Sequence, residues 1–331
     1  MDALRELLPA DDAAGAWLAH LDQKGAPDGD VALPAADDLP ELLLELAVPH
    51  EDIDVMVALR PDPERDPQVW RLLAHAAHAL VGHLGQIAGP PGFPALAARM
   101  GPLRDYFYAY VLVAALPHVL AYHRQQGVPD VISRRTLADL GRNMAVTRQR
   151  SGSGGLDPSL ASWLTLHFRG ALYQLGRLQF QRARLGNRTG NGIAAAGQPF
   201  GPGDPVLGVH IPEFYGPLTP SACDASFTQA RTFFARHFPA ERYQVAACHS
   251  WLLDDQLAEY LSPESRILAF QRRFRSAYQP ADDDEVTLRF VFGQSAPDLA
   301  DLPRRTTLER AVVDHLTAGR HWRGGAGWLL L

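Results

Sequence analysis

Along the first 150 positions, apolar residues recur at three- and four-residue spacing: Trp17, Leu18 and Leu21; Leu42, Leu43 and Leu46; Trp70, Leu73, Ala77, Leu80 and Leu84. This is the apolar stripe of an amphipathic helix, and no alternating run of useful length interrupts it, so the spacing predicts helices throughout. Breaks fall at Asp62-Pro63, Asp66-Pro67, Gly89-Pro90-Pro91-Gly92 and Gly127-Val128-Pro129, where proline removes a donor and restricts its predecessor. The uncharged segment Tyr106 to Tyr122 holds Pro117 and His118. A spanning helix needs about 20 apolar residues, which this segment lacks, so it reads as a buried central helix and no membrane partner is expected.

The period changes after Ser151-Gly152-Ser153-Gly154-Gly155, a short run whose composition suits an interdomain joint or an exposed loop. Domains are therefore expected at 1–150 and 156–331. Beyond the run, strands are expected near 171–183, 206–211, 243–250, 266–274 and 285–292, with helices near 158–168, 219–238, 255–261 and 307–318. Thr306 and Glu309 have capping-box spacing for the last helix. The expected class is α+β: an all-helical N-terminal domain, then a mixed β-sheet domain flanked by helices.

At 331 residues the chain is long enough for two domains of ordinary size. A net charge of −6 argues against nucleic acid or anionic lipid as a partner. Lys24 is the sole lysine, which removes Schiff-base chemistry and a P-loop from consideration. Cys223 and Cys248 form no Cys-x-x-Cys pair, and no signal segment opens the chain, so the reducing cytoplasm is the expected compartment.

Candidate chemistry concentrates between Val206 and Tyr260. An apolar run ends at His210-Ile211-Pro212, passes through Gly216-Pro217 into Thr219-Pro220, and a helix carries Phe227, Ala230, Phe234 and Phe238 on one stripe before a second apolar run closes in Cys248-His249-Ser250. This strand, turn, helix and strand read as a βαβ unit, in which ligands sit where strands end and the helix begins. Thr219 as N-cap with Pro220 behind it would aim N–H groups at an anion; the ordinary βα connection is the plainer alternative. His210 shares a strand face with Val206 and Gly208, and His249 one with Val245 and Ala247. Each is a candidate base, or a hydrogen-bonded histidine at a sheet rim. Adjacent strand residues face opposite ways, so Cys248-His249-Ser250 is a poor nucleophile–base set. His75 and His78 lack a completing carboxylate, and no metal is expected. The stretch Gly186 to Gly192 has no dinucleotide-binding spacing and reads as a mobile loop tip.

The segments Leu207-Gly208-Val209-His210-Ile211-Pro212, Gly216-Pro217-Leu218-Thr219-Pro220, Cys248 through Asp254, and Pro303-Arg304-Arg305-Thr306-Thr307 resemble actinobacterial acyltransferase-like proteins. These join a helical N-acyltransferase N-terminal domain to a GNAT-like C-terminal domain. The resemblance implies a central strand leading through a pyrophosphate loop into a helix that holds acyl-CoA, with the following strand splayed to admit the thioester. In place of the usual Arg/Gln-x-x-Gly-x-Gly/Ala, this chain carries Pro212-Glu213-Phe214-Tyr215-Gly216-Pro217-Leu218. The implied activity is transfer of an acyl group from acyl-CoA, a cosubstrate and not a tightly bound cofactor, to an amine acceptor. Gly216, Leu218, Thr219 and Ser221 would cradle the donor, His210 or His249 with Glu213 would act as base, and Tyr260 would protonate the thiolate. The alternatives are an acyl carrier protein as thioester donor, and a noncatalytic binding protein that keeps the sheet.

Overall fold

In the computed structural model, which describes residues 2–25 and 32–331, the helical periodicity of the first half becomes α1 (Asp2–Arg5), α2 (Asp12–Lys24), α3 (Leu39–Glu45), α4 (His50–Ala58), α5 (Pro67–Val81), α6 (Phe107–Gln125), α7 (Asp130–Leu137), α8 (Asp139–Ser151) and α9 (Pro158–Phe168). These lie in the first of two compact units, Met1–Tyr173. From Phe107 to Leu116 every α6 side chain is buried, as befits a central helix apolar all round, and among the described residues no helix is long and apolar enough to cross a membrane. Trp17 and Phe93 pack against Tyr108 of α6, Phe93 stacked on that ring at 4.3 Å. The glycine-serine run lies inside this unit. α8 ends in a left-handed residue at Gly152, and a side chain on Gly154 would fall 2.1 Å from Asp52, whose carboxylate accepts hydrogen bonds from Tyr106 and Arg148.

The second unit, Gln174–Leu331, is built on a sheet whose first strand begins just before it. The elements are β1 (Leu172–Leu175), β2 (Leu178–Arg184), α10 (Asn187–Ala195), β3 (Pro205–His210), α11 (Pro220–His237), β4 (Val245–Ser250), α12 (Arg266–Gln271), β5 (Arg275–Ser276), α13 (Asp284–Phe292), α14 (Thr307–Thr317) and β6 (Gly325–Leu330). Sheet order is β1-β2-β3-β4-β6-β5, with β3 and β4 parallel and the pairs β2/β3, β4/β6 and β5/β6 antiparallel. Val206, Val245, Ala247 and Trp328 line one face and pack with Ile193 of α10. Phe227 of α11 meets Phe180 of β2 edge-on across the other face.

Several expected elements take another form. The strand read over 171–183 is two strands, turned at Gly176-Arg177 with Gly176 at φ 70°. The stretches 266–274 and 285–292, read as strands, are chiefly α12 and α13. Ser265 and Asp283 cap them by accepting from Leu268 and Val286, and their apolar residues join Leu257, Val312 and Trp322 in a separate cluster. The presumed loop tip at 186–192 opens helix α10. Its glycines are spacing devices, since a Cβ on Gly192 would fall 1.8 Å from the Ala277 carbonyl and one on Gly190 2.4 Å from Pro202 N. The capping box at Thr306 and Glu309 is present as expected.

Candidate functional site

β3 and β4 pair in parallel at only two positions, Leu207 with Ala246 and Gly208 with Ala247, although β3 continues to His210 and β4 to Ser250. Their hydrogen-bonded ladder therefore ends before their chains do. Two-residue alternation places His210 and His249 on the α10 face, each two residues past the last backbone pair, Gly208–Ala247. His249 is exposed there and shares a 2.9 Å hydrogen bond with the Thr189 hydroxyl of α10. Burial of its surroundings lowers its pKa from the ordinary histidine value, favouring the neutral imidazole near neutral pH. His210 Nε2 lies 2.9 Å from Gln181 Oε1 on β2 and donates to it. The sequence does not point to Thr189, because Gly186 to Gly192 reads as a loop while the structure makes it the start of α10.

Beyond β3 the chain turns through Tyr215 at φ 78° and Gly216 at φ 76° before α11 begins. Thr219 is the N-cap, its hydroxyl accepting from Ala222 N. Pro220 has no N–H, so Ser221 is left as the first-turn residue whose N–H has no partner among the described residues. Leu218 is buried and could offer a ligand only its backbone, while Gly216 and Ser221 are exposed. Glu213 is also exposed, in the turn just after β3.

The other candidates lie elsewhere. Tyr260 sits with the α12–α14 cluster, and its hydroxyl lies 3.0 Å from His315 Nδ1. His315 Nε2 lies 3.2 Å from the His321 carbonyl and must donate to it, so Nδ1 is the acceptor and Tyr260 the donor. Cys248 is enclosed, with burial pushing its thiol up to about 12, which leaves no thiolate at neutral pH. Among the described residues no group of three or more His, Cys, Asp or Glu could hold a metal ion. A cavity of about 700 Å³, bordered by Phe200, Phe234, Tyr243 and Gln244, opens at the opposite end of β4, away from both imidazoles.

Both units match known protein families. Residues 37–170 match an N-acyltransferase N-terminal domain and residues 172–329 a GNAT-like C-terminal domain. A crystal structure of an acyltransferase in complex with decanoyl-CoA is 40% identical over 100% of this chain and 99% of that one, with a TM-score of 0.90. An acyltransferase mutant in complex with octanoyl-CoA is 41% identical, covers 100% of both chains and has the same TM-score. A complex with decanoyl-CoA and teicoplanin is 40% identical over 100% and 99%, at 0.88. Among curated proteins none matches.

Proposed function

The chain belongs to the acyltransferase family that joins an N-acyltransferase N-terminal domain to a GNAT-like C-terminal domain, and we propose that it moves a fatty-acyl group from acyl-CoA to an amine on a glycopeptide of the teicoplanin class. The observation that carries this is the parallel pair whose ladder stops at Gly208–Ala247, with His210 and His249 on one face beyond it and the start of α11 following β3. The relatives' complexes with decanoyl-CoA, octanoyl-CoA and teicoplanin support the choice of donor and acceptor.

In this scheme the thioester lies where β3 and β4 part, its phosphates toward Ser221 and the turn before it. The acceptor ammonium first loses one proton to solvent, and His249 takes the second from the attacking nitrogen. The amine adds to the carbonyl carbon, the carbon–sulfur bond breaks, and the products are an amide and the CoA thiol. His210, held by Gln181, orients the acceptor. An ordinary thiol has a pKa near 8.5, so the thiolate is a good leaving group and can draw its proton from the imidazolium. Tyr260 is not required for that step, because its proton is directed at His315. Incubation with decanoyl-CoA and the deacylated glycopeptide, followed by mass spectrometry, tests the reading. A product heavier by one decanoyl group on nitrogen is expected; no product and no CoA release would refute it.

A further inference from the structure

The start of α11 is poorly equipped for a polyanion. Its first turn has Ser221 N–H as the donor without a partner among the described residues, and no lysine or arginine occurs from Ile211 to Ala222. A positive charge nevertheless reaches this turn from the β1–β2 hairpin. Arg177 is 8% exposed, and its guanidinium donates from Nη1 to the Pro212 carbonyl, 3.0 Å away, at the point where β3 ends. The hairpin is fixed on α11 by Ser226 Oγ, which accepts from Arg177 N at 2.8 Å; a side chain on Gly176 would fall 2.7 Å from that oxygen.

Arg177 has no carboxylate partner among the described residues, and its buried Nε has no acceptor. Its ionisable neighbour on α11 is Cys223, whose thiol burial pushes up and so keeps neutral. Arg273, the other guanidinium at this turn, pairs with Asp224 and donates to the Pro220 carbonyl. Arginine does not lose its proton in proteins, so Arg177 places an uncompensated positive charge under the turn. Burying an unpaired charge is costly, and the cost falls when an anion arrives.

Resting on the reading above, we propose that Arg177 is the positioning cation for the donor's phosphates, holding the Pro212 turn and supplying the charge that the turn itself lacks. The occupant is a diphosphate ester, and the effect belongs to donor affinity and not to chemistry at the thioester. Two donors separate these roles: CoA esters, and the phosphate-free decanoyl-N-acetylcysteamine thioester. Arg177→Gln should weaken CoA binding, measured by titration calorimetry, roughly ten- to a hundredfold, the worth of a charged hydrogen-bonding group. Its kcat/KM with the phosphate-free thioester should stay within about twofold of wild type, and its CoA affinity should depend less on added salt. Unchanged CoA affinity, or an equal loss with both donors, would overturn the proposal. If Arg177→Gln does not fold, Arg177→Lys decides: with the charge kept, CoA affinity within about threefold of wild type supports the proposal, and a hundredfold loss refutes it. A wild-type protein that binds no CoA would overturn the acyltransfer reading with it, an outcome distinct from failure of the Arg177 assignment alone.

Discussion

His210 and His249 differ in what their surroundings allow, and the difference sets separate expectations for each. His249 keeps one edge exposed, is bonded to Thr189, and has its pKa lowered because its packed side is desolvated. As general base it must be neutral, so kcat/KM should fall only as pH drops below its depressed pKa, placing the acidic limb under the ordinary histidine value of 6.5. His249→Ala should lower turnover about 10²–10⁴-fold at neutral pH and abolish that limb, as a pH–rate series would show; an unchanged limb would assign it to another group. His210→Ala, which removes an orienting group, should cost about tenfold at most. Tyr260→Phe should lower stability by about 1 kcal/mol through the lost bond to His315, with turnover nearly unchanged. A large fall in turnover would return the acid role to Tyr260. The face each imidazole takes on its own strand was legible from alternation; that the two faces coincide follows from the parallel Gly208–Ala247 pairing. The partner Gln181 was not, because a hydrogen bond across strands depends on register, and Thr189 was not, because its glycine-rich stretch reads as a loop.

At the scale of elements, helices capped by Thr219 and Thr306 could be read because caps are local. The misread elements were decided by tertiary contacts. Val286 to Phe292 has the β-branched and aromatic character of a strand, yet Asp283 caps it, Gly293 ends it at φ 76°, and its apolar residues pack with Val312 and Trp322. Strand β6 went unseen because Gly325-Ala326-Gly327 has poor strand propensity. Those glycines are needed where Leu253 and Phe274 press on the sheet, since added Cβ atoms would lie 2.2 and 2.7 Å from them. Helix α10 gives the clearest test. Replacing a helical glycine with alanine ordinarily stabilises by up to about 1 kcal/mol. Gly192→Ala should instead destabilise by roughly 2 kcal/mol or more, because the new Cβ would meet the Ala277 carbonyl at 1.8 Å. By loosening α10 it should also reduce activity through Thr189. Urea unfolding of this variant measures the first effect and its turnover the second; a stabilised Gly192→Ala would show that α10 does not press on Ala277.

For the molecule as a whole, the change of period near residue 150 made a helical part and a mixed sheet legible. The run at 151–155, by contrast, is held within the helical unit by Asp52, Tyr106 and Arg148. The helical unit also gathers histidines that resist protonation. Burial lowers His123 to about 4, and burial lowers His20, His75 and His83 as well. A histidine with a depressed folded pKa binds fewer protons folded than unfolded, so its stabilisation is complete above the unfolded pKa of 6.5 and is lost as pH falls toward the folded value. For His123 the loss reaches about 2 kcal/mol by pH 5 and about 3 kcal/mol by pH 4. Acid should therefore loosen α6 and its neighbours first. A donor held at β3 and α11 should protect those elements by about 2.7 kcal/mol at a hundredfold excess over its Kd. Hydrogen exchange, corrected for the intrinsic effect of pH, should show protection lost around His123 between pH 7 and 5, and protection gained over residues 205–221 with decanoyl-CoA. The acid loss should shrink in His123→Gln while the gain from the thioester persists. Equal changes across both units in each experiment would mean that they open as one body, and the assignment of acid sensitivity to the helical unit would fail.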